Sequence, residues 1–551
     1  MVGVSNLRAG LGWRAIWNDR RGRGVASWLS GLRLLSLVGV LLGLFPLAAR
    51  AESNPYEGGS AAIGDSQIDK LVFANLDRLG IKPASLCSDA VFVRRAFFDV
   101  IGTQPTAPEA SNFLLSQDPG KRGDLIDRLL AREEFADYWA MKWSDLLRIK
   151  AEFPINLWPN AAQAYHHWLR TSLRDNKPYD QFVRELLTAS GSNFREPPVN
   201  FYRAMQNREP QGIAQTVALT FLGARAENWP RERIEGLAAV FAQLSYKSTG
   251  EWKEEIVFFD PASTNVLAKQ PPVFPDGTKA RLLPGQDPRE VFANWLVNGK
   301  NPWFARNIAN RVWAWLLGRG IIHEPDDIRS DNPPSNPKLL AYLEAELISS
   351  HYDLKHLYRL ILNSTTYQLS SLPGSNDPRA AANFAAYPLR RLDAEVLIDA
   401  LCQITGSTEK YSSAIPEPFT YIPESQRSIA LPDGSISSSF LELFGRPSRD
   451  TGIESERNNR PTAAQRLHLL NSSHIQRKIE QSRVVQNLAQ SQGNPREMIA
   501  GLYLATLSRF PTEDEAKIAS APFESRNVSR REAASDLVWA LVNSPEFCCR
   551  H

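Results

Sequence analysis

Apolar residues recur along this chain mostly at helical spacing, punctuated by Pro, Gly, Asn and Asp. Ile68, Leu71, Val72 and Leu76, with Leu79 one step on, share a helix face that Gly80 ends. Phe92–Val100, Asp124–Leu130, Asn160–Leu173 and Tyr179–Thr188 repeat the pattern, as do Tyr138, Trp139, Trp143, Leu146 and Leu147. Gln211–Leu222 is apolar nearly all round, which predicts a central buried helix. Trp252–Asp260 has the composition of a short strand.

A proline-rich stretch, Pro261–Pro288, separates this half from the next. The second half opens on Asp287-Pro288-Arg289-Glu290, an N-cap with Pro at the first helical position and an acid at the third. Asn301-Pro302 and Asn336-Pro337 repeat the device, and Asp353 supplies a fourth cap. Gly318 and Gly320 stop the helix begun at Asn301, and a loop is expected over 319–336. Turn residues dominate Pro373–Asp377 and Ile415–Ser439. Helices resume at Leu392–Ile404, Thr462–Ile479, Pro495–Ser508 and Ser529–Val542. The expected class is mainly α: multi-helical and loop-rich, two packed helical domains (67–262 and 287–551) with minor short β segments. A linker over 263–286 joins them.

The first 51 residues change the charge picture. Arg20, Arg21, Arg23 and Arg33 precede an apolar run, Leu34–Leu47, and Ala49-Arg50-Ala51 then offers small residues at −3 and −1. That order predicts an export signal, cleaved before Glu52 and followed by a small-polar linker over 52–66. A membrane anchor is the alternative, but Pro46 breaks the run short of the ~18 apolar residues a span requires. The segment holds seven Arg against one Asp, a net +6, so the formal charge falls from +3 to −3 on cleavage. The exported chain then has no charge bias towards nucleic acid and no transmembrane span. The four cysteines, Cys87, Cys402, Cys548 and Cys549, form no CxxC or CxxCH. A Cys87–Cys402 bridge is open to an exported protein, but free, partly buried thiols are the preferred reading.

Several segments together resemble the linked DUF-1549 and DUF-1553 families of secreted proteins, common in planctomycetes. The first match rests on FVRRAFFDVIGTQPTAPEASNFL (92–114), KRGDLIDRLLAREEFADYWAMKWSDLLR (121–148) and PYDQFVRELLTASGS (178–192). The second rests on the Asp287–Ser371 block, FGRPSR (444–449), ESER (454–457), AQRLHLLNS (464–472), LYLATLSRFPTEDE (502–515) and LVWALVNSPEF (537–547). The first family is also described as cytochrome-like, and many relatives carry a CxxCH-like stretch after the helix equivalent to Gln211–Leu222. Here that place reads GARAENWPRERIEGLAAVF (223–241), without Cys or His, and relatives' cysteines near 452–457 give way to GIESER. Covalent haem needs two thioether thiols and an axial imidazole, so none is expected, and electron transfer is not carried over.

Candidate chemistry falls in three places. His323-Glu324-Pro325-Asp326-Asp327 with Asp331 offers Glu324, Asp326, Asp327 and Asp331 to a hard cation such as Ca²⁺; turn capping is the competing reading. Asn307, Asn310 and Arg311 fall at i, i+3 and i+4 of one helix, a patch for sugar hydroxyls or sulfate, or else a tie to a neighbouring loop. Arg446, Arg449, Arg457 and Arg460, interleaved with Asp450, Glu454 and Glu456, are either an anion site near Asn307 and Arg311 or an Arg–Glu network locking loops to the core. Adjacent His166-His167 do not share a helix face and make a poor metal pair. Trp139, Trp143, Trp295, Trp315 and Trp539 sit on apolar stripes and are expected in the core. No phosphate loop, GxSxG elbow or HExxH is present. The expectation is an exported cell-envelope protein that binds or assembles, with acidic or sulfated polysaccharide or envelope proteins as partners and no cofactor. A glycan-active hydrolase or lyase using the 307–331 and 446–460 segments is the alternative.

Overall fold

The computed structural model describes residues 54–58, 64–152, 157–490, 494–525 and 527–551. The expected export signal, its cleavage site and residues 52–53 and 59–63 of the expected 52–66 linker lie outside them. Helix makes up 54% and strand 6%, so the chain is mainly α.

The caps read from sequence work largely as expected. Gln67–Leu79 ends at Gly80 with φ 70°, and it opens on a cap not read from sequence, Ser66, which accepts from Asp69 N. Asp287, Asn336 and Asp353 cap Pro288–Leu296, Pro337–Ser349 and Leu354–Leu362 through their side-chain oxygens. At Asn301 the start is displaced: its side chain accepts from Trp303 N and Phe304 N, and the helix runs Phe304–Leu317. The expected Thr462–Ile479 helix is two, Ala463–Asn471 and Ser473–Glu480, because Ser472 takes extended backbone and caps the second.

Asp89–Ile101 is buried along almost its whole length, and Glu133–Leu146 packs against Pro159–Arg174. Pro210–Val217 runs on into a π turn, Ala218–Leu222, which Gly223 closes at φ 62°. A Cβ at Gly223 would stand 2.6 Å from Asn307 Oδ1, so both the left-handed backbone and the close approach require glycine. The strand read at 252–260 is Glu255–Phe259. It is the centre of a three-stranded antiparallel sheet, between Gly191–Ser192 and Leu244–Ser248, with Tyr246 opposite Val257.

The proline-rich stretch is pinned near its middle. Val273 N donates to Gly236 O at 3.0 Å, and Asp276 accepts from Trp295 Nε1 at 2.9 Å. Residues 54–551 form one compact unit. The two sequence halves share a core in which Trp315 meets Trp139 and Trp143 (ring centroids 5.3 and 5.7 Å) and Tyr179 stacks on Phe304 at 4.9 Å. Arg94 donates to Thr506 O and Phe547 O, and Arg95 to His551 O and Tyr367 O, so the chain's last turn is bolted to an early helix. Trp139, Trp143 and Trp315 are buried, whereas Trp295 and Trp539 are only partly so. All four cysteines are free, with Cys87 buried. Among the described residues no helix is long and apolar enough to cross a membrane.

Candidate functional site

The arginine segment lies on the seam between the halves. Glu133–Leu146 supplies Tyr138, Lys142 and Asp145; the start of Ala394–Thr405 supplies Asp393 and Glu395. Arg457 joins the two, with Nη2 2.7 Å from Asp145 Oδ2 and Nη1 2.7 Å from Glu395 Oε2. Arg449 Nε is 3.0 Å from Asp145 Oδ1, and Arg446 Nε is 3.4 Å from Glu395 Oε1. Asp393 accepts from Lys142, Asn459 and the penultimate residue, Arg550, at 3.1, 2.7 and 2.7 Å. Burial works against charge on both carboxyls. Lys142, Arg550 and Arg457 outweigh it at Asp393, and Arg457 and Arg446 at Glu395, so both stay below their ordinary range.

The network corrects the expectation of an open anion site. Arg446, Arg449 and Arg457 are buried and each faces a carboxylate, while Arg460 is exposed and apart from them. The 446–460 segment meets Arg311 in the interior, through Glu454 and Asp326. Asp326 pairs with Arg311 and accepts from Glu454 N at 2.6 Å. Arg311 and Asn307 both donate to Thr220 O, and Asn310 exchanges two hydrogen bonds with the backbone of Ile322. All three tie neighbouring segments rather than face solvent.

The expected calcium ligands are also dispersed. Asp326 belongs to Arg311, Asp327 and Asp331 both flank Arg329 (3.3 and 3.4 Å), and Glu324 stands beside His323. Among the described residues no group of three or more His, Cys, Asp or Glu is placed to hold a metal ion. His166 is buried and His167 points elsewhere, as adjacent helical residues must.

A cleft of about 380 Å³ opens on the same seam, towards the start of Glu133–Leu146 and the end of Ala394–Thr405. Glu134 comes from the helix that carries Tyr138 and Lys142, and Asp399 and Gln403 from the helix that carries Glu395. Arg132 is held by Glu109 at 2.7 Å and by Glu134 at 3.2 Å. Arg427 donates to Thr103 Oγ1 at 2.7 Å and stands 3.7 Å from Asp399. Gln403 is exposed, and donates to Gln104 O at 2.9 Å. At the far wall Glu409 meets His474 at 2.9 Å and Lys478 at 3.1 Å.

Electrostatics sort these groups. Burial raises the Asp399 carboxyl above its ordinary range, against Arg427 and the N–H groups of Ser428 and Ile429. Burial would raise Glu409 too, but His474 and Lys478 hold it low. Burial pushes the Cys402 thiol up despite Lys478 3.4 Å away. A larger hollow of about 490 Å³ shares Glu109 and Arg132, but its lining comes from 109–132 alone. The cleft draws on both halves.

Its residues were not singled out from sequence, because Glu134, Asp399 and Gln403 look like ordinary polar positions of amphipathic helices. The long loop expected over Ile415–Ser439 was the available signal: it delivers Ser425, Gln426 and Arg427 to the cleft.

Residues 67–238 match the family profile described as protein of unknown function DUF1549, and residues 288–522 that of protein of unknown function DUF1553. No curated protein and no solved structure matches the chain.

Proposed function

We propose that this chain, a DUF1549 domain followed by a DUF1553 domain, is an exported carbohydrate-binding protein of the cell envelope, with the seam cleft as its site. The observation that carries the reading is the chemistry of the lining. Amides (Gln104, Gln403, Gln426), whose side-chain N–H groups bond backbone carbonyls and whose carbonyl oxygens can accept, stand beside hydroxyls (Thr106, Thr408, Ser425) and acceptor carboxylates. That mixture suits a ligand whose hydroxyls each donate and accept, and the volume falls within the ~300–1,000 Å³ of small-ligand sites. Both guanidiniums of the cleft already face carboxylates, so the ligand favoured is a neutral or amino sugar rather than a sulfated one.

A hydrolytic reading has one observation in its favour, the raised Asp399 carboxyl. Both oxygens of that carboxylate accept backbone N–H groups, which makes it the anchor of the Ser428–Ala430 turn rather than a free acid.

The test is a glycan array followed by calorimetry and product analysis. The expected result is binding of neutral or amino oligosaccharides without shortening of the chain, weakened in Gln403→Ala. Binding confined to sulfated glycans and lost with added salt contradicts the site, and shortened products replace binding with hydrolysis. N-terminal sequencing of the native protein is expected to start at Glu52; retention of residues 1–33 contradicts export by cleavage.

A further inference from the structure

At the surface, the rings of Trp252, Phe419 and Tyr421 are left open to solvent. Trp252 and Tyr421 are 68% and 69% exposed and Phe419 is 47% exposed, although rings of this size are ordinarily well buried. Half-buried Trp158 joins two of them: its ring centroid is 6.4 Å from Trp252, perpendicular to it, and 5.1 Å from Phe419. Lys253 Nζ lies 5.1 Å from the Trp252 ring. Trp252, Trp158 and Phe419 come from three distant segments, the turn before Glu255–Phe259, the start of Pro159–Arg174 and the loop after Ile415, so the fold gathers them, and Tyr421 follows Phe419 by two residues on that loop.

The surroundings tell what the face fits. Glu251 beside Arg195 (3.5 Å), Lys253, Glu417 and Glu424 flank these rings along the chain and supply charge, while most other exposed large apolar side chains among the described residues, such as Leu115, Val266 and Leu283, are aliphatic and lie elsewhere in the sequence. Flat rings flanked by charge match a sugar, which has an apolar C–H face and polar edges; a continuous aliphatic patch would instead match a protein. The same loop reaches the cleft, since Tyr421 precedes Ser425 by four residues, at most ~14 Å of chain.

We propose that Trp252, Phe419 and Tyr421 form a stacking subsite for the outer sugar units of a neutral polysaccharide whose inner units occupy the cleft. The inference rests on the carbohydrate reading of the cleft and assigns its ligand as a polymer.

The purified protein would be titrated with the neutral polymers hydroxyethyl cellulose and dextran, and with short oligosaccharides of each, following tryptophan fluorescence and calorimetry. Trp252→Ala and Tyr421→Ala are expected to weaken binding of at least one polymer by about 3–10-fold each, to leave its short oligosaccharide unaffected, and to keep the parent's melting temperature. Gln403→Ala is expected to weaken both lengths. Polymer binding that survives both aromatic substitutions but not Gln403→Ala overturns the subsite and spares the cleft. Absence of binding to any of these probes by the parent overturns both. Dissociation of an oligomer on Trp252→Ala, read by light scattering, would assign the face to a second copy of the chain and overturn the subsite.

Discussion

Arg457 donates to two carboxylates on helices from opposite halves while its side chain is only 5% exposed. Its loss leaves Asp145 and Glu395 buried and short of a partner, so Arg457→Ala is expected to cost about 3–5 kcal/mol in denaturant unfolding. Exposed Arg460 is the internal control, and its replacement by Ala is expected to change stability by less than about 0.5 kcal/mol. Equal effects of the two would contradict the lock. Burial lowers His166 from its ordinary 6.5 to about 3, with Arg449, Arg170 and His167 adding to the shift. The unfolded chain takes up that proton near 6.5 and the folded chain does not until near 3. Stability from neutral His166 is therefore complete above 6.5 and lost as pH falls through that window. Asp393 and Glu395, held low, add their loss only below their ordinary 3.8 and 4.5. His166→Gln is expected to flatten the fall in melting temperature between pH 6.5 and 4.5; an unchanged slope contradicts a buried neutral imidazole. At this scale the sequence showed that a cluster of arginines needed acids. It could not show which, because Asp145 and Glu395 lie far from them along the chain, while the nearby acids serve elsewhere. Glu456 binds Ser448 and the 450–451 backbone, and Asp450 binds Lys150.

Helix starts were legible because a cap is a local device. Asp287 shows what the locality hides. Besides capping Arg289 N, its carboxylate meets the Arg289 guanidinium at 2.7 Å, and that nearly buried side chain goes on to Ala189 O and Ser190 Oγ. Asp287→Ala is thus expected to cost about 3–5 kcal/mol, the scale of a broken buried pair, rather than the ~0.5–2 kcal/mol of a cap alone. Asp353, which caps without such a pair, is the comparison; equal losses in denaturant midpoint would contradict the distinction. The break at Ser472 was missed because Ser is tolerated within a helix, and its cap on Ser473–Glu480 appears only when the chain turns. Leu244–Ser248 was missed since its alternation is weak; its pairing to Glu255–Phe259 is a non-local choice.

At the scale of the molecule the sequence reads as two domains, because composition changes sharply at the prolines. The structure couples them through the Trp139–Trp143–Trp315 cluster, the carboxylate–arginine seam and the return of the last residues to Asp89–Ile101. A single cooperative unfolding transition is therefore expected by calorimetry, shifted as a whole by Arg457→Ala; two separable transitions would contradict a shared core. The seam has two ends of opposite character, a buried lock of Arg446, Arg449 and Arg457 and an open cleft of amides, hydroxyls and carboxylates. Only the first drew attention in the sequence, where charge stands out and a cleft assembled from two distant helices does not. The account's central claim is that the lock is structural and the cleft binds carbohydrate. Its most direct measurement is calorimetric titration of the parent and Gln403→Ala with neutral, amino and sulfated oligosaccharides at low and high salt. The account predicts neutral or amino-sugar binding that persists at high salt, at least for a neutral ligand, and weakens in the variant. Binding of sulfated ligands alone, abolished by salt and indifferent to Gln403, would contradict it.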